Sequence, residues 1–324
     1  MQGTLPGRNN RPPMSTLPLY PTLRSGRSET IPIRHLNYHV RRWDASQADA
    51  PLLILLHGWM DSAASWQFVV DAFSASFAQT HNIIAPDWRG FGGSRLQTPC
   101  DSYHFVDYLG DLEQLLDHYA GSQSVNLVGH SMGGNVAMMY AGVRPKRIRR
   151  LVNLEGFGLP ATQPEQAPRH MARWLDQLGQ CQRGEFALRD YDSAEGVARR
   201  LMKTNPRLPQ DKAVWLARHW AKEDAEGRWH IQGDAAHKVS SAQLWRVDEM
   251  LALYAAITAP VLAVQADGTD LATWWKDRYT LEEYHQRLQH LPDCRTATVA
   301  DAGHMLHHDQ PQAVAQLIEE FVQA

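Results

Sequence analysis

A serine in the string Val128-Gly129-His130-Ser131-Met132-Gly133-Gly134, set directly after the strand-like run Val125–Val128, constrains this chain more than any other feature. Gly-x-Ser-x-Gly between a strand and a helix makes a turn so tight that larger side chains at the flanking positions would strike the strand or the helix. The turn lifts the serine oxygen above the sheet and aims the N-terminus of the following helix at it. The surroundings agree, because Asn135–Tyr140 continues as a good helix. A chain with this elbow is expected to have a sheet with helices on its faces and a nucleophile at a strand end.

The bulk properties exclude several other classes. The chain has 324 residues, is 44% hydrophobic and 21% charged, and carries a net charge of −3. That is the profile of an ordinary globular protein, with no basic excess for nucleic acid or an anionic membrane surface. No apolar run approaches the roughly 20 residues of a membrane-spanning helix, and the N-terminal stretch lacks the apolar core of a secretory signal. Cys100, Cys181 and Cys294 are odd in number and scattered, which predicts free thiols in a reducing cytoplasm rather than a disulfide framework. The 11 tryptophans are unusual; such residues fill cores or wall apolar pockets.

Along the chain, residues 1–28 read as a loose arm, with Arg11-Pro12-Pro13, Pro18 and Pro21 opposing regular structure and Met14 a candidate natural start. Thr30–Arg34 and Leu36–Trp43 are predicted to pair as antiparallel strands, and Pro51–Leu56 has the continuous apolar character of a strand buried on both faces. Ser65–Phe73 reads as helix, Asn82–Ala85 as a short strand and Tyr103–Tyr119 as an amphipathic helix. Arg150–Leu154, Ala259–Val264 and Arg295–Val299 are further strands, and Gln312–Val322 closes as a helix with Val314, Leu317, Ile318 and Phe321 on one face. Between Gly156 and Met250 the alternation stops. This stretch is polar and helical in character and carries Trp174, Trp215, Trp220, Trp229 and Trp245. The expected division is therefore a core of residues 29–155 and 251–324, interrupted by a helical cap at 156–250 over the strand C-termini, where open α/β sheets bind ligands.

A serine hydroxyl needs a base, and the base needs an orienting partner. The candidate base is His304 in Asp301-Ala302-Gly303-His304-Met305, after the last strand and before the final helix. His307 and His308 follow at once, but no third ligand stands at a suitable spacing, so they read as surface or packing residues and no metal site is expected. The oxyanion hole needs two backbone N–H groups. Met132, directly after the nucleophile, is expected to give one; Trp59, in Leu55-Leu56-His57-Gly58-Trp59, is expected to give the other and to project its ring into the pocket.

Together these residues resemble the α/β-hydrolase fold family. The resemblance runs from Pro51 to the C-terminus and includes Asp87-Trp88-Arg89-Gly90-Phe91-Gly92-Gly93-Ser94, similar to the family's Asp-x-Arg-Gly-x-Gly-x-Ser loop. His57–Trp66 and Leu201–Leu208 look like its serine hydrolase-like subgroup. Haloalkane dehalogenases and many epoxide hydrolases share the fold but use an aspartate nucleophile, so Ser131 argues against both reactions. The acid departs from the commonest pattern. Gln265-Ala266-Asp267-Gly268-Thr269-Asp270 lacks the usual Gly-x-x-Asp register, and Glu155 ends the preceding strand, where some branches of the family supply the acid. Glu155 is favoured, with Asp270 and then Asp267 as rivals. The expected activity is cleavage of a small-molecule carboxylic ester with an apolar or aromatic group, through an acyl-enzyme and without a cofactor. Carbon–carbon bond hydrolysis, perhydrolysis or lyase chemistry on the same residues, and a small-ligand sensor, are the alternatives.

Overall fold

The computed structural model describes residues 19–324. Most of the expected arm, Met14 included, falls outside them. Strands β1 (Arg27–Ile33) and β2 (Leu36–Trp43) form an antiparallel hairpin. After them come β3 (Leu52–Leu56), β4 (Asn82–Pro86), β5 (Val125–His130) and β6 (Ile148–Leu154). A separate small antiparallel sheet follows, made of β7 (Asp190–Tyr191), β8 (Ala221–Glu223) and β9 (Trp229–Ile231). Strands β10 (Val261–Ala266) and β11 (Cys294–Val299) then complete an eight-stranded sheet of order β1-β2-β4-β3-β5-β6-β10-β11. From β4 to β11 all neighbours are parallel.

Alternation along the central strands divides the core into two layers. Ile54 and Leu56 of β3 join Ile84, Leu127 and Leu151 on one face. Leu53 and Leu55 join Ile83, Val128 and Val152 on the other. Because successive side chains point to opposite faces, a continuous apolar run fits a strand covered on both sides. Helices α1 (Gln67–Ala72) and α2 (Ala75–Thr80) precede β4. Helices α3 (Phe105–Ala120) and α4 (Met132–Val143) cover the first layer through Leu112, Leu115, Val136 and Met138.

The segment between β6 and β10 departs from the expected division. It holds α5 (Ala167–Gln182), α6 (Ala194–Thr204) and α7 (Gln210–Trp220), together with the small sheet, whose strands of two or three residues are too short to carry a readable alternation. The expected boundary at residue 250 cuts through α8 (Val247–Ala256). That helix belongs to the main core: Met250 and Tyr254 are buried in its first layer, and a side chain at Gly142 of α4 would strike the Leu253 carbonyl. Residues 157–246 have their own cluster around Val197, Ala213, Val214 and Trp215. They touch the sheet at loops that follow strand C-termini. Trp220 donates its indole N–H to the Met60 carbonyl after β3, and Gly92 after β4 donates to the Gln232 carbonyl. Asn205 and Lys212 reach Asp309 and the His308 carbonyl after β11.

The chain ends with α9 (Leu271–Trp275), α10 (Leu281–Leu288), α11 (Leu306–Asp309) and α12 (Pro311–Gln323), the last packing Val314, Ile318 and Phe321 into the second layer. No described helix is long and apolar enough to cross a membrane, and Cys100, Cys181 and Cys294 are free. The expected arm is corrected at residues 19–28. Arg24 donates to the carbonyls of Val70, Asp71 and Phe73 at 2.7–2.9 Å, satisfying the open C-terminal end of α1, and Tyr20 packs against Phe68 and Trp215. Strand β1 then begins at Arg27.

A buried ion pair fixes the loop after β4. The Arg89 guanidinium donates to both carboxylate oxygens of Asp111 on α3 at 2.5 and 2.6 Å, and the Tyr38 hydroxyl adds a third bond at 2.6 Å. Asp111 is fully buried. Removing one partner strands the other charge away from water, which outweighs the attraction lost. Asp111→Ala is expected to destabilise the protein by about 3–5 kcal/mol, read as a lower urea midpoint at unchanged slope.

Candidate active site

Ser131 stands between β5 and α4 with φ +52° and ψ −115°, the strained elbow that its glycines predicted. Its N–H donates to the Leu154 carbonyl at 2.8 Å, tying the turn to β6. A Cβ on Gly129 would lie 2.4 Å from the Gly133 carbonyl oxygen, and one on Gly133 would lie 2.4 Å from the Leu56 carbonyl oxygen. The glycines are therefore required by backbone on both sides, not only by the turn.

The His304 ring joins two of the expected residues. Its Nε2 lies 2.9 Å from Ser131 Oγ, and its Nδ1 lies 3.2 Å from Glu155 Oε2. A carboxylate only accepts, so the proton sits on Nδ1 and leaves the Nε2 lone pair facing the serine hydroxyl. Glu155 is buried at 2% exposure and turns directly off β6 at φ +57°. Asn153 braces that turn, donating to the Gly156 carbonyl at 2.8 Å and accepting from the Gly156 N–H at 3.1 Å. The Glu155 carboxylate also accepts from the Ala266 N–H and the Thr269 hydroxyl, both at 2.6 Å. Thr269 was not foreseen; its only signal was a hydroxyl placed just past the end of β10.

The two rival carboxylates are not brought to His304. Asp270 caps α9, accepting from the Thr273 N–H at 3.0 Å and its hydroxyl at 2.6 Å. Asp267 accepts from the N–H groups of Asp301 and Ala302 at 2.9 and 3.1 Å, and so holds the loop that carries His304. Both are short side chains consumed by nearby backbone, the ordinary use of aspartate at turns and helix starts.

Two buried histidines position the backbone. The Trp88 N–H donates to His57 Nε2 at 2.8 Å, so the His57 proton must be on Nδ1, which donates to the Gly58 carbonyl at 2.7 Å. That carbonyl shares a peptide plane with the Trp59 N–H, so His57 fixes the direction of the donor. Burial lowers the His57 pKa, which keeps this neutral tautomer. On the other side, His130 Nε2 donates to the His304 carbonyl at 2.7 Å. Burial, then the charges of His307 and His304, drive the His130 pKa well below the usual histidine value. Sequence reading missed both roles.

Met132 opens α4, so its N–H has no partner within the helix. Trp59 lies past Gly58, whose Cα is so near the elbow that an added Cβ would be 3.2 Å from Ser131 Cβ. The Trp59 side chain, expected to enter a pocket, is 52% exposed. The tryptophan ring against His304 is instead Trp274 of α9, edge-on with centroids 5.1 Å apart. His307 and His308, read as surface or packing residues, are fully buried against Trp66 and Phe68. Of the insert's tryptophans, Trp215 is core filler, packed on Phe68 and His219.

Comparison with known proteins agrees with this architecture. A family profile described as the alpha/beta hydrolase fold matches residues 51–311. The cis-3-alkyl-4-alkyloxetan-2-one decarboxylase of Shewanella oneidensis is 27% identical over 283 residues, covering 83% of this chain and 81% of that protein. The serine hydrolase-like protein of Danio rerio is 24% identical over 277 residues, covering 84% and 81%. Among solved structures, the thioesterase domain from the curacin biosynthetic pathway superposes with a TM-score of 0.75 at 23% identity, over 91% of this chain and 99% of that one.

The elbow contacts set a sharp expectation. Alanine is a better helix former than glycine by about 1 kcal/mol, but at Gly133 its methyl group meets two backbone carbonyls, of Leu56 and His57. Overpacking against backbone costs about 1–3 kcal/mol, so Gly133→Ala is expected to lower the unfolding temperature. A neutral or raised Tm would contradict the close approach of β3 and the elbow.

Proposed function

The chain belongs to the α/β-hydrolase fold family, and we propose that within it this protein is a serine hydrolase cleaving a carboxylic ester through an acyl-enzyme. The observation that carries this reading is the hydrogen-bonded line from Ser131 Oγ through His304 to the buried Glu155 carboxylate, at 2.9 and 3.2 Å. Ser131 attacks the ester carbonyl while His304 Nε2 takes its proton. Glu155 stabilises the imidazolium that forms. The Trp59 and Met132 N–H groups receive the developing oxyanion. His304 then protonates the leaving alcohol, and water, activated by the same ring, releases the acid. The residues have no call on a metal or organic cofactor for these steps.

The substrate in this reading is a small molecule with an apolar or aromatic group. Trp274 beside His304, with buried Phe157 close to it, supports that preference. The insert, anchored to loops that end several core strands, serves as a cap that shapes substrate choice. A cytoplasmic setting fits the three free cysteines. The relative named as a decarboxylase keeps lyase chemistry as the rival on the same scaffold.

A fluorophosphonate probe and a panel of p-nitrophenyl esters test the reading. Labelling at Ser131 with ester turnover is expected, and Ser131→Ala is expected to abolish labelling and lower kcat by about 10³-fold or more. Labelling without turnover of any ester would favour the rival chemistry. Near-normal activity of the variant would remove Ser131 from the mechanism.

The acid is tested separately. Glu155→Gln is expected to lower kcat by about 10²–10⁴-fold with KM little changed, because an amide cannot stabilise the imidazolium. Asp270→Asn is expected to cost less than about tenfold, the effect of a screened charge. The reverse ranking of the two variants would move the acid to the loop after β10.

A further inference from the structure

Beside the proposed triad lies a second group of titratable side chains that the ester mechanism does not use. His307 and His308 come from α11, and Asp61 comes from the loop after β3. All three are buried, at 0%, 4% and 8% exposure. Their candidate donor atoms all lie within 4.8 Å of one another, with His307 Nε2 3.8 Å from Asp61 Oδ2. Four polar atoms of these side chains are also orphans. Asp61 Oδ2, both ring nitrogens of His307 and Nε2 of His308 have no hydrogen-bond partner, while the other Asp61 oxygen accepts from the Ser65 hydroxyl.

Buried polar atoms without partners are rare and call for an explanation. A shared proton answers only part of it. At 3.8 Å the Asp61–His307 pair is longer than a hydrogen bond, and one proton between them leaves His308 unserved. A divalent cation takes lone pairs from all three groups at once. We propose that Asp61, His307 and His308 form a binding site for one divalent first-row transition-metal ion, with Zn²⁺ the best match. Two imidazoles and one carboxylate suit such ions, whereas Ca²⁺ and Mg²⁺ require shells built mainly of oxygen. Tetrahedral zinc, with bonds of about 2.0–2.1 Å, places its ligands about 3.3 Å apart, so the cluster contracts modestly on binding.

One charge opposes the ion: Lys212 donates to the His308 carbonyl at 3.0 Å. The ion would join two loops that matter to the proposed reaction, since Asp61 closely follows Trp59 and His307 closely follows His304. It would act as a clamp between the oxyanion loop and the base loop, without touching the reacting atoms.

The test uses the full chain, stripped with a chelator and titrated with Co²⁺ and with Zn²⁺. One equivalent per chain is expected by calorimetry, together with the intense visible bands of four-coordinate Co²⁺ and a higher Tm in the presence of either ion. Asp61→Asn, which keeps an oxygen for Ser65, and His308→Gln are each expected to weaken binding by at least about tenfold through loss of a ligand. His230→Gln, at the exposed His230 cluster with Asp190 and Asp224, is the control and is expected to leave binding unchanged. Absence of saturable binding to the wild-type chain overturns the proposal, whatever the variants do. So does binding of equal strength in both ligand variants, or binding lost with His230→Gln alone. None of these readouts depends on ester turnover, so they stand or fall apart from the hydrolase reading.

Discussion

The Glu155 carboxylate is the interaction on which the arrangement around Ser131 depends. It is buried between two strand ends and accepts from the Ala266 N–H, the Thr269 hydroxyl and His304 Nδ1. An ionised carboxylate in such a place is tolerated only when its oxygens are filled by donors. Two of these donors stand at the end of β10 and the third follows β11, so the carboxylate can exist there only if the parallel register of β6 and β10 is correct. Val264 pairs with Leu154, and the Glu155 N–H returns to the Val264 carbonyl at 2.9 Å. A slip of one residue would turn Ala266 and Thr269 away and leave the charge unpaired. The geometry of His304 is thus inherited from sheet register.

The same logic extends outward through groups that never approach a reacting atom. His304 sits on a loop held by Asp267 at Asp301 and Ala302, and by Asp309 at the Gly303 N–H. His130 grips its carbonyl from beneath. The Gly58 peptide is oriented by His57, which is itself set by Trp88. Asp87 closes the next loop by accepting from Ala63 and Gly93 at 2.7 and 2.8 Å. A Cβ at Gly92 would fall 2.1 Å from the same carboxylate, which explains the glycine there. Sites that do their work by fixed dipoles need this supporting layer, because a donor misplaced by even 1 Å loses much of its effect.

Local pattern was enough for the elbow, the buried strands and the amphipathic helices, since spacing and turn residues act within a few positions. Val125–His130 and Pro311–Gln323 fall where alternation and helical spacing put them. Pattern was not enough wherever a residue's role is decided by a partner far along the chain. Glu155, Asp267 and Asp270 are chemically similar, and only the stacking of β6 against β10 distinguishes them. His307 and His308 lacked a visible companion because Asp61 stands far from them along the chain. The small sheet of the insert was missed for another reason: strands as short as Asp190–Tyr191 contain no period to detect.

The turn that carries Glu155 follows β6, which has a consequence for the loop after β10. That loop gives no carboxylate to the His304 ring; through Asp267 it holds the backbone at Asp301 and Ala302, and its far end is put to a different use. Asp270 caps α9 through Thr273, and α9 carries Trp274 to the edge of the His304 ring. A carboxylate at the end of this loop would have demanded desolvation and donors of its own. An aromatic wall demands only contact, and Trp274 meets one side of the His304 ring edge-on. The carboxylate partner of His304 Nδ1 and the aromatic surface beside its ring therefore come from the ends of two neighbouring strands, β6 and β10.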